Sequence, residues 1–303
     1  MSDIPNYPRD RGAQRGMVLI IVLWIVTLLA VMAGGFAYSM RVETRLATGA
    51  VERARARALA EAGVAFGLAW QLDQEASRKY WPPNGDLHEW TFGGGRLQIR
   101  ITNANGLVSL NTADPDLLKA LFAGTGASSH ELDRLVEAVL DWRESDRQGV
   151  PGGVHRAGGR MARGWLGSTK GRFESIEELQ QIEGVTREVY ERIADGVTAF
   201  SNHVGVNPEL APAGLLRALG LDERTVADYV SARVRAAADG SPPPPLPRND
   251  GHAFFLGGRT NTYHVTVAAE VETGTVVVVK SVADVQGMLS GQNLRLVAWR
   301  EGR

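Results

Sequence analysis

At 303 residues the chain is too long for one small domain and too short for three large ones, so a membrane helix with two soluble modules fits its length. Its 33 Lys and Arg against 34 Asp and Glu leave a net charge of -1, which gives no sign of a polyanionic partner. The absence of cysteine excludes disulfides and thiolate metal sites, leaving packing or oxygen-ligated metal to staple the fold.

Residues 1–16 are polar and carry Arg9, Arg11 and Arg15; residues 17–40 contain no charge. A bilayer core of roughly 30 Å is crossed by about 20 apolar residues in helical form, because lipid offers backbone amides no partner outside the helix. Residues 17–40 are therefore expected to span a membrane once. Arginines ahead of the span and a mixed flank of Arg41, Glu43 and Arg45 after it orient the N-terminus to the cytoplasm. Small residues come only at Ala33-Gly34-Gly35, deep in the run, which is not the layout of an ordinary secretory signal.

Beyond the span the helix continues from Arg41 to about Ala76, rich in Ala, Leu, Arg and Glu and free of proline. Val42, Leu46, Leu59, Phe66 and Trp70 form its apolar side, and Pro82-Pro83-Asn84-Gly85 ends it. The alternation Leu97-Gln98-Ile99-Arg100-Ile101-Thr102 predicts a strand, and Asn105-Gly106 predicts a hairpin turn into Leu107-Val108-Ser109-Leu110.

A helical segment follows. Asp114-Pro115 opens a helix with Leu117, Leu118, Leu121 and Phe122 on its apolar side, closed by Gly124 and Gly126. Ser128 with Glu131 makes a capping box ahead of a helix through Trp142, and Ser175 with Glu178 makes another ahead of Ile176, Leu179 and Ile182. Between them lies a glycine-rich loop from Gln148 to Arg172. Residues from Asn207 to Leu219 and from Asp222 to Ala238 repeat the helix-turn-helix scheme, with Asp222 as cap. Four prolines in a row within Ser241 to Pro247 form a stiff connector. Strand signals return at Tyr263 to Val271, Thr275 to Val282 and Leu294 to Trp299, the first pair joined by Glu272-Thr273-Gly274.

Nothing here reads as an enzyme. The histidines have no ligand spacing, Ser168-Thr169-Lys170-Gly171 lacks the frame of a phosphate loop, and Trp142 and Trp299 read as core anchors. The alternative class is a membrane-anchored DNA-binding protein of a DNA-uptake system, since Glu177 to Ile193 looks like a helix-hairpin-helix. Two features oppose it. Gly184-Val185 is followed by Thr186 where that motif has a second glycine, and Ser128 to Phe200 carry 10 Lys and Arg against 13 Asp and Glu.

Arg15-Gly16 set directly against the apolar run resembles the leader of type IV pilins and pseudopilins, cut after the glycine by the prepilin peptidase. Most of that superfamily carry glutamate at the fifth mature position; here the fifth residue from Met17 is Ile21, the departure typical of the K-type minor pseudopilins of type II secretion systems. Four more stretches resemble that family in order: Gly106 to Ala113 as Gly-x-x-x-Leu-Asn-x-Ala, Leu140-Asp141-Trp142, Glu177 to Gly184 as Glu-Glu-Leu-x-x-Ile-x-Gly, and Leu296 to Glu301.

The resemblance implies an α+β fold: a pilin-type long helix and antiparallel sheet carrying a large inserted all-α domain of helix-hairpin-helix-like (SAM-like) units. The segments are then a leader (1–16), a membrane span (17–40), the long helix with the first β-hairpin (41–110), the inserted α-domain (111–240), a proline-rich linker (241–250) and C-terminal strands completing the sheet (251–303). It implies a structural role at the tip of the secretion pseudopilus, initiating or capping its assembly for export across the outer membrane. The implied partners are the I- and J-type minor pseudopilins, the prepilin peptidase and the inner membrane, with the bulk of the chain periplasmic and no nucleic acid bound. Cleavage falls between Gly16 and Met17, Met17 is the residue that would be N-methylated, and Ile21 is the residue placed at the assembly position. Some relatives hold calcium after the Asp-Trp pair, which singles out Asp141, Glu144 and Asp146. Calcium takes six to eight oxygens and the loop then turns basic, so neither metal nor other cofactor is expected.

Overall fold

The computed structural model describes residues 12–144, 171–246, 253–286 and 293–302. The chain divides into two compact units, Met1–Arg55 and Ala56–Arg303. The glycine-rich stretch up to residue 170, Asp146, and the chain beyond Leu246 as far as residue 252 lie outside the described residues.

Helix α1 runs Gly12–Trp70. It stops short of the expected Ala76 because Asp73 intercepts the backbone: its carboxylate accepts from the amides of Glu75 and Ala76, both at 3.0 Å, and starts α2, Gln74–Tyr80. The face α1 buries in the second unit also differs from the expected stripe of large residues. Ala56, Leu59, Ala60, Val64 and Leu68 are buried at helical spacing, whereas Val42 and Leu46, in the first unit, are exposed. Small residues set the approach: a Cβ on Gly63 would stand 2.8 Å from side-chain carbons of both Leu97 and Val267, and one on Gly67 would stand 2.9 Å from Ile101. Only a helix bare at those positions comes that near the sheet.

That sheet has five antiparallel strands: β1 (Asn84–Phe92), β2 (Gly95–Asn103), β5 (Thr262–Val271), β6 (Val276–Gln286) and β7 (Asn293–Gly302), in the order β1-β2-β5-β6-β7. Register puts Ile99 opposite Val267 and Val267 opposite Val279, so the period-two alternation stacks aliphatic side chains across three strands against α1. The C-terminal strands fall where the sequence predicts them, and the turn at Gly274 has φ 83.

The first hairpin does not. It pairs β1 with β2 around Gly93 and Gly94, whose φ of 58 and 74 suit a tight turn that needs two left-handed residues. Asn105-Gly106 belongs instead to a single 3-10 turn, Ala104–Gly106, and the following β3 (Val108–Ser109) pairs in parallel with β4 (Val197–Thr198). Gly106 is there for close approach rather than for a hairpin: a Cβ on it would lie 2.2 Å from the Leu210 carbonyl oxygen.

Between β2 and β5, apart from β3 and β4, the described residues form a helical body. It comprises α3 (Pro115–Ala123), α4 (Ser129–Glu144), a 3-10 segment Ile176–Gln181, α5 (Arg187–Ile193), α6 (Ala213–Ala218) and α7 (Glu223–Ala238). The expected caps form. Asp114 accepts from Leu117 N at 2.7 Å, Glu131 from Ser128 N at 2.9 Å, Glu178 from Ser175 N at 3.1 Å, and Asp222 from Thr225 N at 3.0 Å. Two elements are shorter or tighter than expected. The segment after Ser175 winds as 3-10, and α6 starts at Ala213 rather than Asn207 because Pro208 and Pro212 break the chain ahead of it. The body has its own core, with Leu118, Phe122, Val139, Phe173, Leu179 and Val226 among its buried residues.

Candidate functional site

Gly16 and Met17, the pair at the expected cleavage point, lie within the helical backbone of α1. From Met17 to Tyr38 the large apolar side chains are all exposed, Ile21 by 53%, and Thr27 satisfies its hydroxyl by donating to Leu23 O at 2.8 Å. An uncharged helix with its apolar surface turned outward on every side has lipid or other apolar helices as its natural solvent. Among the described residues it is the one helix long and apolar enough to cross a membrane.

The three calcium candidates are not gathered by the described structure. Asp141 is exposed near the end of α4, Glu144 closes that helix, and Asp146 is not described; among the described residues no three metal-ligating side chains converge. Their neighbours turn inward. Trp142 stacks on Phe173 at 5.6 Å, while Arg143 donates to the carbonyls of Leu110 and Ala113, and burial lowers its guanidinium to about 10. The Leu-Asp-Trp stretch therefore fastens α4 over the chain between β3 and α3.

The other family-like stretches are fasteners too. Asn111 donates to Phe173 O at 3.0 Å and Ala199 O at 2.9 Å and accepts from Phe173 N at 2.7 Å, joining three segments through one amide. In Glu177 to Gly184, Glu178 caps, Leu179 and Ile182 are buried, and Gly184 takes φ 92. Glu177 accepts from Tyr190 OH at 3.2 Å and pairs with Arg300 of β7. Burial, the largest single influence, would raise the Glu177 carboxyl, but the hydrogen bond and charge of Arg300 together with hydrogen bonds from the Glu177 amide and Ser175 outweigh it and hold the group below its usual value.

Further bonds join body to sheet. His264 of β5 meets the Thr198 hydroxyl of β4 at 2.8 Å; the ring is desolvated, and with Lys280 nearby its pKa falls to about 4, so it stands neutral. Lys280 of β6 reaches Asp195 at 2.9 Å. Arg233 of α7, 4% exposed, donates through Nη1 to Ala211 O at 2.8 Å and faces Asp86 of β1 at 3.8 Å. Asn103 at the end of β2 donates to Thr260 O at 2.7 Å, and Asn207 donates to Gly258 O at 2.7 Å. Sequence reasoning passed over Arg233, His264, Asn111 and Arg300 as contact residues, since their partners are backbone groups or residues far along the chain; only the asparagine in Leu-Asn-x-Ala carried a local signal.

The groove beside the hairpin-like turn at Gly184, about 690 Å³, opposes nucleic-acid binding. Glu131, Glu137, Asp141, Glu183 and Glu188 line it with Arg134 and Arg192, and Arg192 is already paired with Glu188 at 2.7 Å. Phosphate contact asks for the opposite sign.

An antiparallel sheet packed on the C-terminal part of a long helix, with a helical body inserted between the second and third strands, defines an α+β fold whose N-terminal helix is long and apolar enough to cross a membrane once. Residues 99–202 match the family model of type II secretion system (T2SS), protein K. The fold is similar to that of a chain in the crystal structure of the GspK-GspI-GspJ complex from the type 2 secretion system of enterotoxigenic Escherichia coli. The likeness is 12% in sequence identity, covers 83% of this chain and 97% of that one, and has a TM-score of 0.54. No curated protein matches the chain by sequence.

Proposed function

We propose that this chain is a K-type minor pseudopilin that stands at the tip of the secretion pseudopilus, where it initiates or caps assembly together with I- and J-type minor pseudopilins. The observation that carries the reading is the fastening of the helical body to the sheet. The body hangs from β2 and β5 and is held by Asn103, Arg233, His264 and Arg300, so it does not swing aside. A body so fixed obstructs regular stacking everywhere but at the end of a fibre. Ile21 agrees with that place. In pilin-like filaments a glutamate at this position meets the N-terminal amine of an adjacent subunit; at the tip there is no subunit above to supply one, and a lone carboxylate in apolar surroundings would be costly. A polymer of this chain alone is not expected.

In this reading the leader is removed between Gly16 and Met17 on the cytoplasmic side of the inner membrane, Met17 becomes the N-methylated first residue, and Ala56 onward folds in the periplasm. The match of the fold to a member of a K-I-J complex supports the choice of partners. Co-expression of the full chain with I- and J-type subunits, followed by detergent extraction and purification through a tag on this chain, tests it. A stoichiometric ternary complex whose tagged chain has the mass of residues 17–303 is expected. Recovery of the tagged chain alone, or with its leader attached, contradicts the reading.

A further inference from the structure

Three arginines, none hydrogen-bonded to a carboxylate among the described residues, converge on a small pocket away from every contact used above except that of Arg233. Arg78 of α2, Arg233 of α7 and Arg259 ahead of β5 line a cavity of about 30 Å³, with Pro82, Pro83 and Pro243 among its other walls. Arg233 is nine-tenths buried and more. Its Nη1 is taken by the carbonyls of Pro208, Glu209 and Ala211, yet its Nε and Nη2 have no hydrogen-bond partner, and the 3.8 Å to Asp86 exceeds hydrogen-bond length. Among the described residues Arg259 reaches only neutral groups, the Gln71 amide oxygen at 3.2 Å and the hydroxyls of Ser77 and Tyr263 at 3.4 Å, and its Nε likewise has no hydrogen-bond partner there. Among the described residues Glu209 is the one carboxylate in the lining.

Buried guanidinium donors left without acceptors cost free energy, and proteins satisfy them with a partner of opposite charge or with water. The walls favour the charge. The unpaired groups are donors, the prolines have no N–H to offer, and among the described residues three guanidinium groups exceed the two carboxylates, Asp86 and Glu209, in reach. We propose that this pocket binds a small inorganic anion of about chloride size. A volume of about 30 Å³ is that of one water-sized particle, which suits a monatomic anion better than phosphate. The bound ion ties α2, α7 and the entry to β5 together where the helical body meets the sheet. The proposal does not depend on the tip assignment.

The full chain in detergent micelles, without its leader, tests this. ³⁵Cl NMR linewidth should rise with protein, and Arg78→Gln, at an exposed position that leaves the core untouched, should cut the excess broadening by about half or more. The thermal midpoint in chloride should exceed that in gluconate of equal ionic strength by about 3 °C, since a ligand bound only by the folded state raises stability by mass action. Arg233→Met should abolish both effects; where that variant fails to fold, Arg78→Gln decides alone. Equal midpoints in the two salts, with a linewidth indifferent to Arg78→Gln, overturn the proposal and assign the pocket to water.

Discussion

The sheet and the helical body are stabilised by different means. Under α1 the sheet buries Leu97, Ile99, Val265, Val267 and Val279 in a nearly all-aliphatic layer whose backbone groups are paired strand to strand. The body buries as varied an apolar set, but its short helices leave carbonyls and amides unpaired at every turn. Side chains answer them: Asn111 for Phe173 and Ala199, Arg143 for Leu110 and Ala113, Arg233 for Ala211. Regular backbone can rest on packing alone, whereas irregular backbone needs polar side chains in its interior.

The comparison is sharpest where volume is held constant. Asn111→Leu keeps size but strands two carbonyls and one amide, and should lower stability by about 3 kcal/mol, each stranded group costing about 1–3 kcal/mol before water relieves some of the loss. Ile99→Val in the sheet removes one methyl and should cost about 1 kcal/mol. Denaturant unfolding of the two variants measures both. An Asn111→Leu cost below that of Ile99→Val would mean that packing governs the body as well.

A somewhat smaller effect should appear with acid, at the bond between the regions. His264 has a folded-state pKa of about 4 against an ordinary value near 6.5, so its neutral form is favoured by folding. Its contribution is fully present above pH 6.5 and is lost as pH falls from 6.5 through 4, to a total of about 3 kcal/mol if the desolvation is complete and less where the partly exposed residue admits water. Comparing wild type with His264→Gln across pH 4–7 isolates it: the wild type should lose stability faster on acidification, and parallel curves would show the ring is not desolvated. The smallest change is expected from Arg300→Gln. Its pair with Glu177 is half-exposed, so unfolding should shift by less than about 1 kcal/mol.

The same division governs how much of the molecule can be read from its residues. The apolar helix, the helix caps at Asp114, Ser128, Ser175 and Asp222, and the strands from Thr262 onward carry local signals, and they lie where those signals put them. Strand β1 was missed because Pro82-Pro83-Asn84-Gly85 reads as a terminator and an edge strand needs no strict alternation; its inward side is an aromatic stack in which Trp90 lies 4.0 Å from Phe66 and Trp81 lies 4.3 Å from His88. The parallel pairing of β3 with β4 joins residues 89 positions apart, Val108 and Val197, and no local pattern encodes it. Of the site residues, Gly16, Met17 and Ile21 are singled out by their order against the apolar run, and the structure shows only that they lie in α1. The bonds of Arg233, His264 and Arg300 were not, since a lone charged or polar residue looks alike in sequence whether it faces solvent or closes an interface.

The tip assignment itself is tested most directly by locating the subunit in assembled fibres. Pseudopili sheared from cells and decorated through a tag after Arg303 should carry label at one end only, at about one label per fibre, and this chain expressed without its partners should yield no filaments. Label at regular intervals along the shaft, or homopolymers of this chain, would contradict the assignment.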